Sequence, residues 1–419
     1  MRFATPRGTK DILPEEIPLW NQVEATCRRQ LELYGFREIR TPVFEDSALF
    51  IRSLGRASDI VSKQMLYVSS AGQEERYSLR PEATAAIVRA YLEHHLDKKG
   101  GFVKLFYIGP MFRGERPQKG RLRQFHHIGV EAIGITCPWL DAEIIALAVA
   151  ILRELGISGF ELKINSLGCE KDKARLAQVL KDSLKDKLSE FCVDCQARFD
   201  KNIFRLLDCK EDSCRKLVAR LSLTDKYLCP ECRDYFKAVQ DKLRLIKIPF
   251  TVSNTLVRGL DYYTHTVFEI SHPDLGAQDA LGAGGRYDNL VRELGGEAAG
   301  AMGFAFGFER LLLALPKAKP QPLPTTVFIA CLGEPAMHSG FLLLNDLRKN
   351  GIASAMAYAT LSFKSQLRQA NDLNAKLVVL IGDEEIEKKY FTVKDMATGN
   401  QEKLAAPIIV EEIRKRLTQ

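Results

Sequence analysis

Four prolines in the nine residues Pro316-Lys317-Ala318-Lys319-Pro320-Gln321-Pro322-Leu323-Pro324 constrain this chain more than any other feature. Proline fixes φ and donates no backbone hydrogen bond, so neither a helix nor a central strand runs through such a stretch. The segment is expected to be an extended linker, and the chain must fold as at least two bodies, each with its own core. Its 419 residues suffice for two or three domains. A composition 46% hydrophobic and 27% charged belongs to soluble globular proteins. No apolar run reaches the roughly 18 residues needed to span a bilayer. The start, Met1 to Gly8, lacks the apolar stretch of a signal peptide, so a cytoplasmic protein without a membrane partner is expected. Lys plus Arg exceed Asp plus Glu by 60 to 53, a mild excess that permits a nucleic-acid partner without requiring one.

On the amino-terminal side of the linker, Trp20, Val23, Cys27, Leu31 and Tyr34 recur at spacings of three and four, a helix that Gly35 should stop. Extended patterns follow at 36–43, 64–68 and 76–79, and Pro81 should open a helix to about residue 95. Residues 103–134 read as two long strands around a basic loop, 141–155 as an apolar helix and 160–165 as a strand. From 170 to 245 the chain turns Lys/Asp-rich and helical, with six cysteines between 192 and 232, as in an inserted subdomain. Strands return at 250–253 and 262–270, and a glycine-dense run leads to a helix ending near 315. Beyond the linker, strands at 327–331, 353–358 and 377–382 alternate with helices, which implies a small α/β domain with a mostly parallel sheet. The expected boundaries are 1–169 with 246–316, an insertion at 170–245, the linker at 317–324 and a last domain at 325–419.

Five stretches carry candidate chemistry. In the hairpin, Arg113, Arg116, Lys119, Arg121 and Arg123 place five cations within eleven residues, against the single acid Glu115. Period-two alternation puts Phe125, His127 and Glu131 on one face of the second strand. An aromatic plane, an imidazole and a carboxylate beside Arg113 suit a nucleotide or amino-acid pocket, and the basic tip suits a phosphate backbone. A solvated charged hairpin would show the same pattern. His126 and His127 point to opposite faces and so do not form a metal pair. In Arg80-Pro81-Glu82-Ala83-Thr84, Glu82 either complements a helix dipole or, with Thr84, accepts hydrogen bonds from a substrate ammonium. Arg258-Gly259-Leu260-Asp261-Tyr262-Tyr263 combines a phosphate clamp with polar aromatic walls, or is an ordinary half-buried strand. Gly282-Ala283-Gly284-Gly285-Arg286-Tyr287-Asp288 begins like a dinucleotide fingerprint, but Tyr287 stands where the third glycine should fall and no βαβ unit surrounds it. A Rossmann fold is rejected, and these glycines would let backbone approach a ligand. Residues 300–313 alternate small residues with aromatics before a helix near Glu309. There Arg310, a cation at the positive end of a helix, goes against the dipole preference and suggests a polyphosphate clamp.

Taken in order, these stretches resemble the class II aminoacyl-tRNA synthetases. Residues 37–46, with Pro42, are similar to motif 1, Phe112-Arg113-Gly114-Glu115 to motif 2, and residues 303–310 to motif 3. Residues 258–263 and 284–288 are similar to the two signature peptides of the histidyl-tRNA synthetase family, and the resemblance covers nearly the whole chain. It implies an α+β catalytic domain, an antiparallel sheet flanked by helices that forms a homodimer through motif 1. It also implies a helical insertion and a C-terminal α/β anticodon-binding domain. The implied reaction joins ATP and L-histidine into histidyl-adenylate and pyrophosphate, with Mg²⁺ assisting, and then moves the histidyl group to the terminal adenosine of tRNA(His). The histidine carboxylate attacks the α-phosphorus, which leaves positioning and charge neutralisation to the protein.

By matching position, the resemblance implies that Arg113 and Arg258 bracket the α-phosphate and Arg310 holds the γ-phosphate. Glu115 would take the adenine amino group and Phe125 would stack on the adenine ring. Glu82 and Thr84 would hold the histidine ammonium, Glu131 and Tyr263 its imidazole, and Tyr262 and Tyr287 would wall the pocket. Arg116 and Gln118 match positions that read the extra 5′ guanosine pair of this tRNA. Position 127 is commonly Gln in the family. A neutral imidazole replaces one amide hydrogen bond but not both at once, so His127 is expected to be an altered substrate contact.

Cys192-Val193-Asp194-Cys195 and Cys229-Pro230-Glu231-Cys232 have the two-knuckle spacing of a tetrahedral Zn²⁺ site, which would leave Cys209 and Cys214 free. Zinc is not general in the family, and six buried thiols packing a small helical insert would show the same pattern. No residue is therefore assigned as a metal ligand. The competing reading of the whole chain is the non-catalytic regulatory subunit of the ATP phosphoribosyltransferase of histidine biosynthesis. That protein is similar to the catalytic domain but generally lacks the anticodon domain and the loop residues. Retention of Arg113, Arg258, Arg310 and everything after Pro324 favours the ligase, and the intact C-terminal domain with the basic motif 2 loop counts against a ligase that adenylates protein side chains.

Overall fold

The computed structural model describes residues 3–418 except 57, 71, 73–75, 99, 118–119, 210, 222, 259, 317–325 and 359–360; the expected linker lies outside the described residues. The chain divides into two compact units, Met1–Pro320 and Gln321–Gln419.

Among the described residues, the first unit carries a small sheet of Phe44–Asp46, Tyr77–Leu79 and Tyr67–Val68 and is built on a sheet of eight strands in the order Arg37–Glu38, Val103–Phe112, Gln124–Ile133, Ala301–Gly307, Ala280–Arg286, Thr264–Ser271, Glu161–Ser166, Thr251–Val252. The pairings inside the sheet are antiparallel, and only the two-residue strands at its edges pair in parallel. The hairpin runs in unbroken register from Val103 opposite Ile133 to Phe112 opposite Gln124. Side chains alternate across it, as a pleated strand requires. Ile128, Val130 and Ala132 join a core with the helices Ile17–Leu33, Pro138–Glu154, Pro230–Leu245 and Phe308–Ala314. Leu105, Tyr107 and Ile133 join another core with the helices Ser47–Leu54 and Thr84–Glu93. Helix Pro138–Glu154 starts with proline in its first turn, is buried around most of its circumference, and is followed by Gly156 at φ +72. Each Leu or Ile it buries fully contributes about 1.5–3 kcal/mol.

Two expectations are corrected. The helix expected from Pro81 starts at Thr84, because the Glu82 carboxylate, two residues earlier, accepts from the first-turn amides of Thr84 and Ala85. Gly284 and Gly285 do not make room for a ligand. A Cβ at Gly284 would overlap the Gly303 carbonyl and Phe304, and one at Gly285 the Thr266 carbonyl, so these glycines admit neighbouring strands.

The described residues of 170–245 form the helices Glu170–Leu184, Val193–Arg198, Asp212–Ala219 and Pro230–Leu245, with short 3₁₀ turns between them. Leu176, Leu180, Phe191, Leu206 and Leu217 form a local core there. The last helix behaves differently: its Phe236, Val239 and Leu243 belong to the core of the large sheet.

The second unit carries five strands among the described residues, ordered Ser354–Met356, Val327–Cys331, Leu377–Ile381, Tyr390–Asp395, Gln401–Ala405. The first three are parallel, as the alternation of strands and helices implied, and the last two add an antiparallel hairpin. Among the described residues, no helix is long and apolar enough to cross a membrane.

Candidate active site

A cavity of about 300 Å³ opens on the first unit. The hairpin contributes Tyr107, Arg113, Glu115, Phe125, His127 and Glu131 to its lining, and Glu82, Thr84, Arg258, Tyr262, Tyr263, Tyr287 and Arg310 join them. Residues scattered over more than 200 positions of sequence thus meet in one place, and every candidate substrate contact except two is among them. Arg116 is exposed on the hairpin loop and is absent from the lining, while Gln118 lies outside the described residues.

At one end of the cavity, Glu131 is 2% exposed. It accepts hydrogen bonds from the Thr84 hydroxyl at 2.7 Å and the Tyr287 phenol at 2.5 Å. Burial pushes its carboxyl up to about 8, against those two hydrogen bonds and with a further upward push from Glu82. Gly303 is required beside it, since a Cβ there would overlap the Glu131 carboxylate and the Val130 carbonyl. Burial also raises Glu82, although the Ala85 and Thr84 amides, the Thr84 hydroxyl and Arg113 resist the shift. Tyr262, Tyr263 and Tyr287 are buried against one another, with ring centroids 4.8 Å apart in the first pair and 5.7 Å between Tyr262 and Tyr287. His127 stands edge-on to Phe125 at 5.0 Å, and its buried Nδ1 has no hydrogen-bond partner among the described residues. Burial, then Arg113 and Arg310, hold this imidazole well below its usual range, so it is neutral near pH 7.

Cations gather at the other end. Arg113 donates from Nε to the Pro81 carbonyl at 2.9 Å, and its guanidinium lies 5.2 Å from the Phe125 ring. Arg310 donates to the carbonyls of Gly120 at 3.2 Å and Ala280 at 2.6 Å. Arg258 forms an ion pair with Glu269. Burial lowers the pKa of Arg113 and Arg310, and repulsion from neighbouring arginines adds to it. For Arg258 the Glu269 carboxylate and Tyr263 outweigh burial, and its pKa rises. Glu115 is buried and paired with Arg121.

Several lining residues escaped the sequence reading. Glu269 had a signal: a lone acid in the apolar strand Thr264–Ser271. Tyr107, in Val103–Phe112, had none beyond period-two alternation. Glu309 accepts the His126 amide at 3.0 Å and pairs with its Nδ1 at 2.9 Å, which anchors the neighbour of His127. At the rim, Asp59 binds Arg198 at 3.0 Å and Arg205 at 2.6 Å, bringing the helical region 170–245 to the cavity, where Arg205 and Asp208 are lining residues. A stacking ring, three guanidiniums and a carboxyl–phenol cluster suit a ligand pair with a planar base, several negative charges and a hydrogen-bonding cation.

Known proteins match the chain on both units. The family profile described as histidyl-tRNA synthetase matches residues 8–311, and that of the anticodon binding domain matches residues 326–416. The chain is similar to the histidine–tRNA ligase of Thermodesulfovibrio yellowstonii, 43% identical with 99% of each chain covered. It is 45% identical to that of Halothermothrix orenii, over 99% of this chain and all of the relative. Its structure is similar to the crystal structure of apo S. aureus histidyl-tRNA synthetase, with a TM-score of 0.80 and 35% identity over 98% of this chain and all of that one. With both units matched in this order and the relatives aligned from end to end, the chain belongs to the histidyl-tRNA synthetase family.

Proposed function

We propose that the chain is an ATP-dependent ligase that activates L-histidine to histidyl-adenylate and transfers it to the 3′ end of tRNA(His). The observation that carries this reading is the cavity, where Arg113, Arg258 and Arg310 share walls with the Glu131–Thr84–Tyr287 cluster. Arg113 and Arg258 flank the α-phosphate as its charge grows during attack by the histidine carboxylate, and Arg310 holds the γ-phosphate. Cations already in place for developing charge lower the barrier without reorganising during the step. Phe125 stacks on adenine beneath Arg113, and Glu115 accepts from the adenine amino group once Arg121 yields to it.

The histidine ammonium lies by Glu82 and Thr84. Its imidazole meets Glu131 and Tyr263, Tyr262 and Tyr287 close the walls, and the unpartnered Nδ1 of neutral His127 supplies one hydrogen bond to substrate. A buried pocket of this polarity rejects side chains that leave Glu131 unpaired. Mg²⁺ enters with ATP as the substrate complex. The lining carboxylates Glu269 and Glu309 already bind Arg258 and His126, which fits an ion held largely by phosphate oxygens and water.

Arg116 and Gln118 on the hairpin loop, together with the second unit, serve tRNA(His). We assign residues 1–169 and 246–316 to the catalytic domain, 170–245 to the insertion, 317–324 to the linker and 325–419 to anticodon binding. The protein acts as a cytoplasmic homodimer. The three retained arginines and the anticodon-binding match favour this reading over the non-catalytic regulatory paralogue of ATP phosphoribosyltransferase. Incubation with ATP, Mg²⁺, labelled histidine and a tRNA(His) transcript should yield acid-precipitable histidyl-tRNA. Binding of histidine without any charging would support the paralogue instead.

A further inference from the structure

Between the helices Glu170–Leu184 and Pro230–Leu245, no helix among the described residues exceeds eight residues. Helices this short are not stable by themselves, and a small local core rarely holds such a segment without a covalent or metal cross-link. The cysteines of this region fall into two groups, which corrects the pairing read from spacing. Cys192 and Cys195 meet Cys209 and Cys214, whereas Cys229 and Cys232 meet Cys169 and Asp172. Register along the sequence could not show this, because the short segment 199–208 folds back and delivers Cys209 to the first knuckle.

We propose that Cys192, Cys195, Cys209 and Cys214 bind one structural Zn²⁺. Their Sγ atoms all lie within 4.8 Å of one another. Four sulfurs at about 2.3 Å from a central zinc stand about 3.8 Å apart along each tetrahedral edge, and Cys192 Sγ lies 3.8 Å from Cys209 Sγ. The spacings Cys-x₂-Cys and Cys-x₄-Cys are those of zinc knuckles. The Cys192 amide donates to Cys214 Sγ at 3.3 Å, a bond that supports a thiolate bound to metal. All four are free of disulfides; Cys195 and Cys214 are buried, while Cys192 and Cys209 keep an edge toward solvent by which an ion enters. On binding, four Cys–SH protons pass to solvent and four S–Zn bonds form, leaving a tetrathiolate centre of charge −2. No oxidant or reductant is needed.

The second group differs in its donors. The Asp172 carboxylate already accepts the amides of Cys229 at 3.0 Å and Cys169 at 3.4 Å and pairs with Arg175 at 3.1 Å, so it caps two helices. The first group, by contrast, closes the segment that carries Arg198 and Arg205 to Asp59 on the cavity rim. The zinc is therefore a clamp on the rim as well as on the insertion, and it stands independently of the reaction assigned to the cavity.

The test is elemental analysis of the full chain purified under reducing conditions without chelator, alongside Cys209→Ser, Cys214→Ser and Cys229→Ser. The expected result is about one zinc per chain, retained in Cys229→Ser and lost in the other two. Anaerobic exchange of the wild type into Co²⁺ should give the absorption of a tetrahedral thiolate site. A reduced wild-type chain that takes up neither ion overturns the proposal whatever the variants do. So does iron in place of zinc, a mass deficit of two hydrogens that peptide mapping places in a Cys192–Cys209 disulfide, or zinc lost only in Cys229→Ser.

Discussion

Arg286 and the trio Arg113, Arg258 and Arg310 are positive charges withdrawn from water in the same unit, yet they are compensated differently. Arg286 has no exposure; it binds Asp141 at 2.6 Å and Asp288 at 2.8 Å, and also the Ile135 carbonyl at 3.0 Å and the Thr136 hydroxyl at 3.2 Å. The three cavity arginines are half-buried, and among the described residues their ion pairs amount to Arg258 with Glu269. Desolvating a charge costs several kcal/mol unless partners offset it. Arg286 has those partners, and its pKa is raised by Asp141 and Asp288 despite burial. Arg113 and Arg310 sit below their ordinary range because their burial is offset too little. A fully partnered buried charge serves the fold, and a charge left short of partners in a cavity is free to pair with an anionic ligand, as the proposed reaction requires.

The contrast breaks most clearly by substitution. Arg286→Ala leaves Asp141 buried without its cation and should cost about 3–5 kcal/mol, seen as a large drop in Tm with activity falling in step. A Tm close to wild type would contradict its structural role. Arg258→Ala should do the reverse, with Tm and substrate binding largely kept while adenylate formation falls by roughly 10²–10³-fold or more. Rapid-quench measurement of adenylate decides it, and an unchanged rate would remove Arg258 from the reaction. Tyr287→Phe, which takes away one of two donors to Glu131, should raise KM for histidine about tenfold, for a loss near 1.4 kcal/mol, with KM for ATP unmoved.

The smallest effect is on pH dependence. Burial lifts Glu131 from 4.5 to about 8 in the folded chain. Between those values the unfolded carboxyl is ionised while the folded one keeps its proton, so each rise in pH favours unfolding. Stability from this group is complete below pH 4.5 and is lost as pH climbs through 8. The Tm of the unliganded protein should therefore fall more steeply over that window than in Glu131→Gln; parallel curves would show that Glu131 keeps an ordinary pKa.

Much of this site could be read from the residues. The long strands 103–112 and 124–133 announce themselves by period-two alternation, which also put Phe125, His127 and Glu131 on the face where the cavity lies. The short strands Arg37–Glu38 and Tyr67–Val68 fall inside the expected extended stretches 36–43 and 64–68 but fill little of them, and Phe44–Asp46, too short to carry a period, was not expected. Glu82 shows the limit of local reasoning: it accepts the first-turn amides of a helix, as the dipole reading expects, and it also lines the cavity, where the proposed ammonium contact would lie. Glu269 and Tyr107 were missed because their importance depends on which strands become neighbours. The two cysteine groups were mispaired for the same reason, since the chain must fold back at 199–208 before Cys209 reaches Cys192.

ATP–pyrophosphate exchange by the purified protein, run separately with each standard amino acid, tests the central claim that this cavity activates histidine. The account predicts exchange with histidine alone, at a rate that collapses in Arg258→Ala. Exchange with another amino acid, or none at all from the folded wild-type chain, would contradict it.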